Sequence, residues 1–199
     1  MTLRPSDLVF AAGFVVYVAI RGVYEKQAKG QEKIVRRGGG WDRALIALMA
    51  VGALILPVLH VATPWLGFAE YELPAAVPWC GAGVMVAALW LFRRSHADLG
   101  VNWSVTLELR KDHELVARGV YRRIRHPMYA AIWLFSLAQG MLLDNWLAGW
   151  SACAAFAVMY AVRVPREERM MEEAFADAWR DYARRTGRVL PRFGGRDSP

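Results

Sequence analysis

MYAAIWLFSLAQGMLLDNWLAGWSACAAFAVMYAV, residues Met128 to Val162, contains one charged side chain, Asp144. Asp144 and Asn145 split the stretch into two apolar blocks, Met128–Leu143 and Asn145–Val162. Their side chains are apolar throughout rather than at every third or fourth position, so each block suits burial on all sides. A helix needs roughly 20 such residues to cross the hydrocarbon core. A connection this short leaves an antiparallel helical hairpin as the arrangement available.

Farther out, Ala44–Ala69 and Leu73–Phe92 contain no Lys, Arg, Asp or Glu. Leu8–Ile20 reaches full span when extended through Arg21 toward Tyr24, with Arg21 reaching back to the headgroups. Asp7 precedes that block and the basic n-region of a signal peptide is almost absent, so it is read as a retained first helix. A hydrophobic content of 56% with nine Trp agrees with a bilayer solvent. The predicted fold class is all-α: an integral membrane protein with about five transmembrane helices. Cys80 and Cys153 fall inside predicted spans, where they read as small packing residues rather than a disulfide framework.

The net charge of +7 does not indicate a nucleic-acid partner, because the basic residues are confined to the segments between spans. Arg21–Arg43 holds seven Lys and Arg, and Arg93–Arg125 holds eight. Both are predicted to be cytoplasmic, with the N-terminus outside and the Arg-rich tail inside. The opposite connections carry Glu70 and Glu72, and Asp144.

Closing the hairpin brings Arg118–Tyr129, before the fourth span, beside Arg163–Glu173, after the fifth. Composition alone reads Arg118–Tyr129 as a basic anchor in which Pro127 opens the helix. The adjacency of Glu167 and Glu168 to His126 favours a site. Pro165–Thr186, with Met170, Met171, Phe175, Trp179 and Tyr182 at helical spacing, is predicted to be a separate amphipathic helix that starts at Pro165 and ends at Gly187. Gly38-Gly39-Gly40 reads as a turn and Trp41 as an interface anchor. His96–Ser104 reads as an interfacial linker, and His60 as a bonded packing residue. The four histidines are too scattered to suggest a metal.

Gly119-x-Tyr121, then Arg125-His126-Pro127-x-Tyr129, a short hairpin, Glu167-Glu168 and Pro191 resemble the signature of the isoprenylcysteine carboxyl methyltransferase family. The resemblance covers about residues 90 to 193 and divides the chain into N-terminal spans, 1–92, and a catalytic region, 93–199. It implies an S-adenosylmethionine-dependent enzyme. By position, His113, Glu114, Leu115, Val116 and Tyr121 would contact the cofactor, followed by His126, Pro127, Met128 and Tyr129. Arg163 would be the catalytic, substrate-holding arginine, and Glu167 a cofactor contact. Glu168 is assigned to the substrate, serving with His113 as a candidate base should the acceptor be an amine.

These side chains suit that cofactor. Tyrosine rings can face a sulfonium or an adenine, Glu167 can accept from an ammonium or a ribose hydroxyl, and the guanidinium fork of Arg163 can hold a carboxylate. A carboxylate acceptor is already ionised at neutral pH, so positioning rather than a base would carry the reaction. The predicted function is O-methylation of a lipophilic, isoprenylcysteine-like acid. The alternatives are N-methylation of a phospholipid or lipid amine, an NADPH-dependent membrane reductase, and a headgroup-binding protein without activity. The Ala-, Arg- and Trp-rich composition suggests a bacterial inner membrane.

Overall fold

The computed structural model describes residues 3–28, 33–36, 40–100, 108–110 and 115–192. Helix α1 spans Pro5–Ala28, and strand β1 spans Lys33–Arg36. Helix α2 (Gly40–Ala50) continues through a π-helical turn, Val51–Ile55, into α3 (Leu56–Ala62), and a 3-10 turn follows at Pro64–Ala69. Then come α4 (Ala76–Leu99), β2 (Glu108–Arg110), a 3-10 turn at Gly119–Arg122, α5 (Pro127–Leu142) and α6 (Trp146–Arg185).

The protein is a helical integral membrane protein. Pro5–Gln27, Gly40–Ala62, Ala76–Leu99 and the helix Trp146–Arg185 are long and apolar enough to cross a membrane. The fourth expected span, α5, has 16 residues, which at 1.5 Å per residue is about 24 Å, short of a full crossing. It is sheathed by its neighbours, with Ala131, Phe135, Ser136, Ala138, Gln139 and Leu142 buried.

Several expected boundaries are corrected. The second span ends at Ala62 rather than Ala69, because Thr63 is extended and Pro64 opens a new turn. The segment expected as a linker from His96 begins inside α4, which runs to Leu99. Beside the helices of this all-α fold, a short two-stranded antiparallel ribbon, β1 with β2, ties the two basic connections together. The separate amphipathic helix is also corrected. Pro165 lies inside α6, and the helical run is interrupted instead at Ala176, with φ 45°. Pro165 removes one N–H from the helical ladder without ending the helix, as spanning helices tolerate where neighbours support them.

Asn145 explains how three residues turn the chain between α5 and α6. Its Oδ1 accepts from the backbone N–H groups of Leu147 (3.0 Å) and Ala148 (2.9 Å), capping α6. Its Nδ2 donates to the Leu66 carbonyl at 2.7 Å, fastening the preceding 3-10 turn to the hairpin. Asp144 beside it meets Arg4 and lies 3.5 Å from His60 Nε2. His60 is buried in α3 beside that carboxylate. Helix α1 docks through aromatic rings, with Tyr17 centred 4.3 Å from Phe92 and 5.0 Å from Phe135.

Gly52, in the π-helical turn, sits against α6. Its carbonyl accepts from Gln139 Nε2 (2.9 Å) and Ser151 Oγ (2.8 Å), and a Cβ built on it would lie 2.8 Å from the Ser151 carbonyl oxygen. In a solvent that offers no hydrogen bonds, these donors stabilise the helix–helix seam. Gly52→Ala is expected to lower the detergent-solubilised melting temperature by several degrees, since overpacking costs about 1–3 kcal/mol. Gly83→Ala, where nothing lies within 4 Å of the added carbon, is expected to leave it unchanged or raise it slightly.

Candidate active site at the mouth of the hairpin

The two motif stretches meet where α5 begins and where the charged part of α6 follows its apolar part. Trp146 to the interruption at Ala176 amounts to about 45 Å of helix, longer than the hydrocarbon thickness, so α6 can carry its charged portion from Arg163 onward out of the hydrocarbon.

Gly119 opens the first stretch with φ 59°, a left-handed conformation that favours glycine, and a Cβ there would collide with the Asp98 carboxylate. Asp98 Oδ2 accepts from the Val120 N–H at 2.9 Å, fixing the turn to the end of α4. Tyr121 is thereby buried, its carbonyl accepting from the Tyr182 hydroxyl at 2.7 Å. Burial, reinforced by the nearby Glu167 charge, holds its phenol proton on well above the usual tyrosine range.

Glu168 joins three segments. Its Oε1 accepts from Arg125 Nε at 2.7 Å and lies 3.2 Å from both His126 Nε2 and Arg188 Nε, while Arg188 Nη2 donates to Oε2 at 2.7 Å. The strap after α6 runs alongside Arg123–His126: the N–H groups of Arg125 and His126 donate to Gly187 and Arg188, and that of Gly187 to Arg123. Burial alone would raise the Glu168 pKa, but the hydrogen bonds from His126, Arg125 and Arg188 outweigh it and hold the carboxyl at about 2. Such a carboxylate is fully engaged. Its partners in this structure are Arg125, His126 and Arg188.

Glu167 turns the other way. Its Oε2 accepts from the Tyr129 hydroxyl at 2.8 Å, and the charge of this half-buried carboxylate also acts on Tyr121. The His126 ring stacks on Tyr129 with centroids 5.6 Å apart, so the Glu168 cluster sets the orientation of the tyrosine through His126. Arg163 is half-buried one helical turn before Glu167, close enough for its charge to act on the Tyr129 hydroxyl. Toward the membrane, Tyr129, Trp133, Phe156 and Tyr160 form an aromatic wall, with Trp133 and Phe156 centred 5.0 Å apart.

The structure thus brings Tyr121, His126, Pro127, Tyr129, Arg163, Glu167 and Glu168 to one place. Met128 is half-buried in the first turn of α5, and Leu115 and Val116 are half-buried on the approach to the 3-10 turn. His113 and Glu114 lie outside the described residues. Sequence reasoning missed Arg188, whose only signal was a basic residue beyond the end of α6, and Asp98, the helix-end acid that holds the turn. It also missed Asp42 on α2, whose charge reaches Tyr129. Among the described residues, no group of three His, Cys, Asp or Glu is placed to hold a metal ion.

Residues 81–173 match the isoprenylcysteine carboxyl methyltransferase family. A rice protein, from Oryza sativa subsp. indica, named "Probable protein-S-isoprenylcysteine O-methyltransferase" is 22% identical over 96% of this chain and 98% of its own length. A cobalt-zinc-cadmium resistance protein of Cupriavidus metallidurans is 32% identical over 58% of this chain and 54% of its own. The solved eukaryotic intramembrane Ras methyltransferase, at 20% identity, shares the fold with a TM-score of 0.56 over 95% of this chain and 68% of its own.

The Glu168 cluster has a pH signature. Its pKa, about 2 in the folded state, lies below the ordinary value of 4.5, so the stability it contributes is complete above that value and is lost as pH falls toward 2. Glu168→Gln is expected to melt at lower temperature than the wild type at pH 7, with the difference shrinking between pH 4.5 and 2. Calorimetric melts across that range test it.

Proposed function

We propose that this chain, whose residues 81–173 match the isoprenylcysteine carboxyl methyltransferase family, is an S-adenosylmethionine-dependent membrane enzyme that O-methylates the carboxylate of a lipophilic, isoprenylcysteine-like acceptor. The observation that carries this reading is the half-buried Glu167 bonded to Tyr129, one turn beyond Arg163 and at the end of an aromatic wall. The named function of the rice relative supports the same chemistry.

The residues present suit the cofactor. A cationic sulfonium and an ammonium call for an anion and aromatic faces, which Glu167, Tyr121 and Tyr129 supply. When bound, S-adenosylmethionine provides an electrophilic methyl group. Glu167 would accept from its ammonium or ribose, while Tyr129, oriented by His126, would lay its ring on the charged part. His113, Glu114, Leu115 and Val116 would complete the approach, and Pro127 and Met128 the first turn of α5.

Arg163 would hold the acceptor carboxylate through its guanidinium fork. The acceptor's lipid portion would lie along Trp133, Phe156 and Tyr160. An ionised carboxylate needs no base, which agrees with Glu168 being committed to Arg125, His126 and Arg188. Catalysis then rests on orientation and on exclusion of water from a mouth roofed by membrane helices. Residues 93–199 would supply most of this site. The basic connections support a mouth on the cytoplasmic side of a bacterial inner membrane, with the N-terminus outside.

Titration of the detergent-solubilised protein is expected to show saturable S-adenosylmethionine binding and none of NADPH. Glu167→Ala and Tyr129→Ala are expected to weaken that binding tenfold or more, roughly 1.4 kcal/mol. Arg163→Ala should leave it nearly unchanged and abolish turnover of a farnesylcysteine carboxylate. NADPH binding alone would replace the methyltransferase by a reductase. Turnover of a lipid amine but not of the acid would move the reaction to nitrogen.

A further inference from the structure

Asp42 lies in the first turn of α2, outside the family-matched region, and is 3% exposed. Its Oδ2 is buried without a hydrogen-bond partner. One helical turn on, Leu45 packs into the cluster formed by Tyr129, Phe156, Met159 and Val164, which places Asp42 at the same end of the molecule as the mouth. The Tyr129 hydroxyl lies within reach of the charges of Glu167, Arg163 and Asp42.

An acid in the first turn of a helix is favoured by the helix dipole, and that accounts for an exposed aspartate. It does not account for one removed from water with an oxygen unmatched, since buried charges ordinarily find partners. Buried unsatisfied groups of this kind concentrate where a ligand supplies the missing partner. A cationic ligand fits this need, because the charges acting on the Tyr129 hydroxyl include two carboxylates, Glu167 and Asp42, beside the guanidinium of Arg163.

We infer that Asp42 is a binding residue for the positively charged methyl donor and makes the site prefer that donor over its neutral thioether product. This rests on the proposed methyltransferase reading. S-adenosylmethionine carries a sulfonium, an ammonium and a carboxylate, a net charge of +1. Loss of the methyl group leaves S-adenosylhomocysteine with a neutral sulfur and no net charge. A carboxylate in a low-dielectric pocket therefore favours the donor and weakens its hold when the charge is gone. Asp42 thereby opposes product retention, and α2 becomes a functional wall of the site rather than only a membrane anchor.

The test is calorimetric titration of the full-length protein in detergent with S-adenosylmethionine and S-adenosylhomocysteine, alongside thermal melts without ligand. Asp42→Asn is expected to weaken donor binding about tenfold, to change product binding less than twofold, and to raise the unliganded melting temperature, because a buried unmatched charge has been removed. Asp42→Glu, which keeps the charge, is expected to retain the preference. Equal donor affinity in the wild type and Asp42→Asn overturns the inference while leaving the methyltransferase reading intact. Loss of both ligands together with a lower unliganded melting temperature shows a structural role and also overturns it. A wild type that binds neither compound overturns both readings.

Discussion

The carboxylate of Glu168 is where three stretches, far apart in sequence, are made into one site. Arg125 and His126 come from the entrance to α5, Glu168 from α6 and Arg188 from the strap beyond it. Removing any one donor leaves a shielded charge under-matched, whereas the complete cluster satisfies the carboxylate from several directions. The cluster's value is geometric. It seats His126, the ring of His126 lies against Tyr129, and Tyr129 meets Glu167. The paired glutamates therefore divide their work, the second assembling what the first uses. Neighbouring residues on a helix point about 100° apart, so adjacent carboxylates naturally serve different surroundings.

The hairpin was legible because its turn is so short. Asp144 and Asn145 interrupt an otherwise apolar stretch, and geometry leaves only one way back. From that came the adjacency of His126 and Glu167 and hence the location of the site. The division between Glu167 and Glu168 was not legible, because it depends on which side of α6 faces the Arg188 strap. Pro165 misled for a physical reason: it is favoured in first turns, and nothing local in sequence tells a first turn from a supported interior position. The ribbon of Lys33–Arg36 with Glu108–Arg110 was hidden because two spans, Gly40–Ala62 and Ala76–Leu99, separate its partners in sequence.

The apolar part of the fold obeys a related rule. Where lipid offers no hydrogen bonds, polar side chains are drawn inward and spent on backbone carbonyls. Gln139 reaches both Gly52 and Ala148, Ser151 shares the Gly52 carbonyl, and Asn145 reaches Leu66. The π-helical turn at Val51–Ile55 presents that carbonyl at the closest approach of α2 and α3 to α6. Hydropathy sees only that this segment is apolar, so neither the turn nor its partners could be read in advance.

This seam bears on how much of the chain the chemistry needs. The family-matched region begins at Gly81 and omits α2 and α3. Yet Leu45 packs on Tyr129 and Phe156, and Gly52 fastens the same continuous helical run to α6. A register shift at Gly52 would move Leu45 and Asp42 relative to Tyr129, because a helix transmits displacement along its axis. The N-terminal spans thus hold one wall of the mouth at a fixed depth. Under the proposed methyltransferase reading, the motif residues of the last hairpin would supply the reactive polar groups, and the surrounding helices would set the dielectric and the boundary in which those groups act.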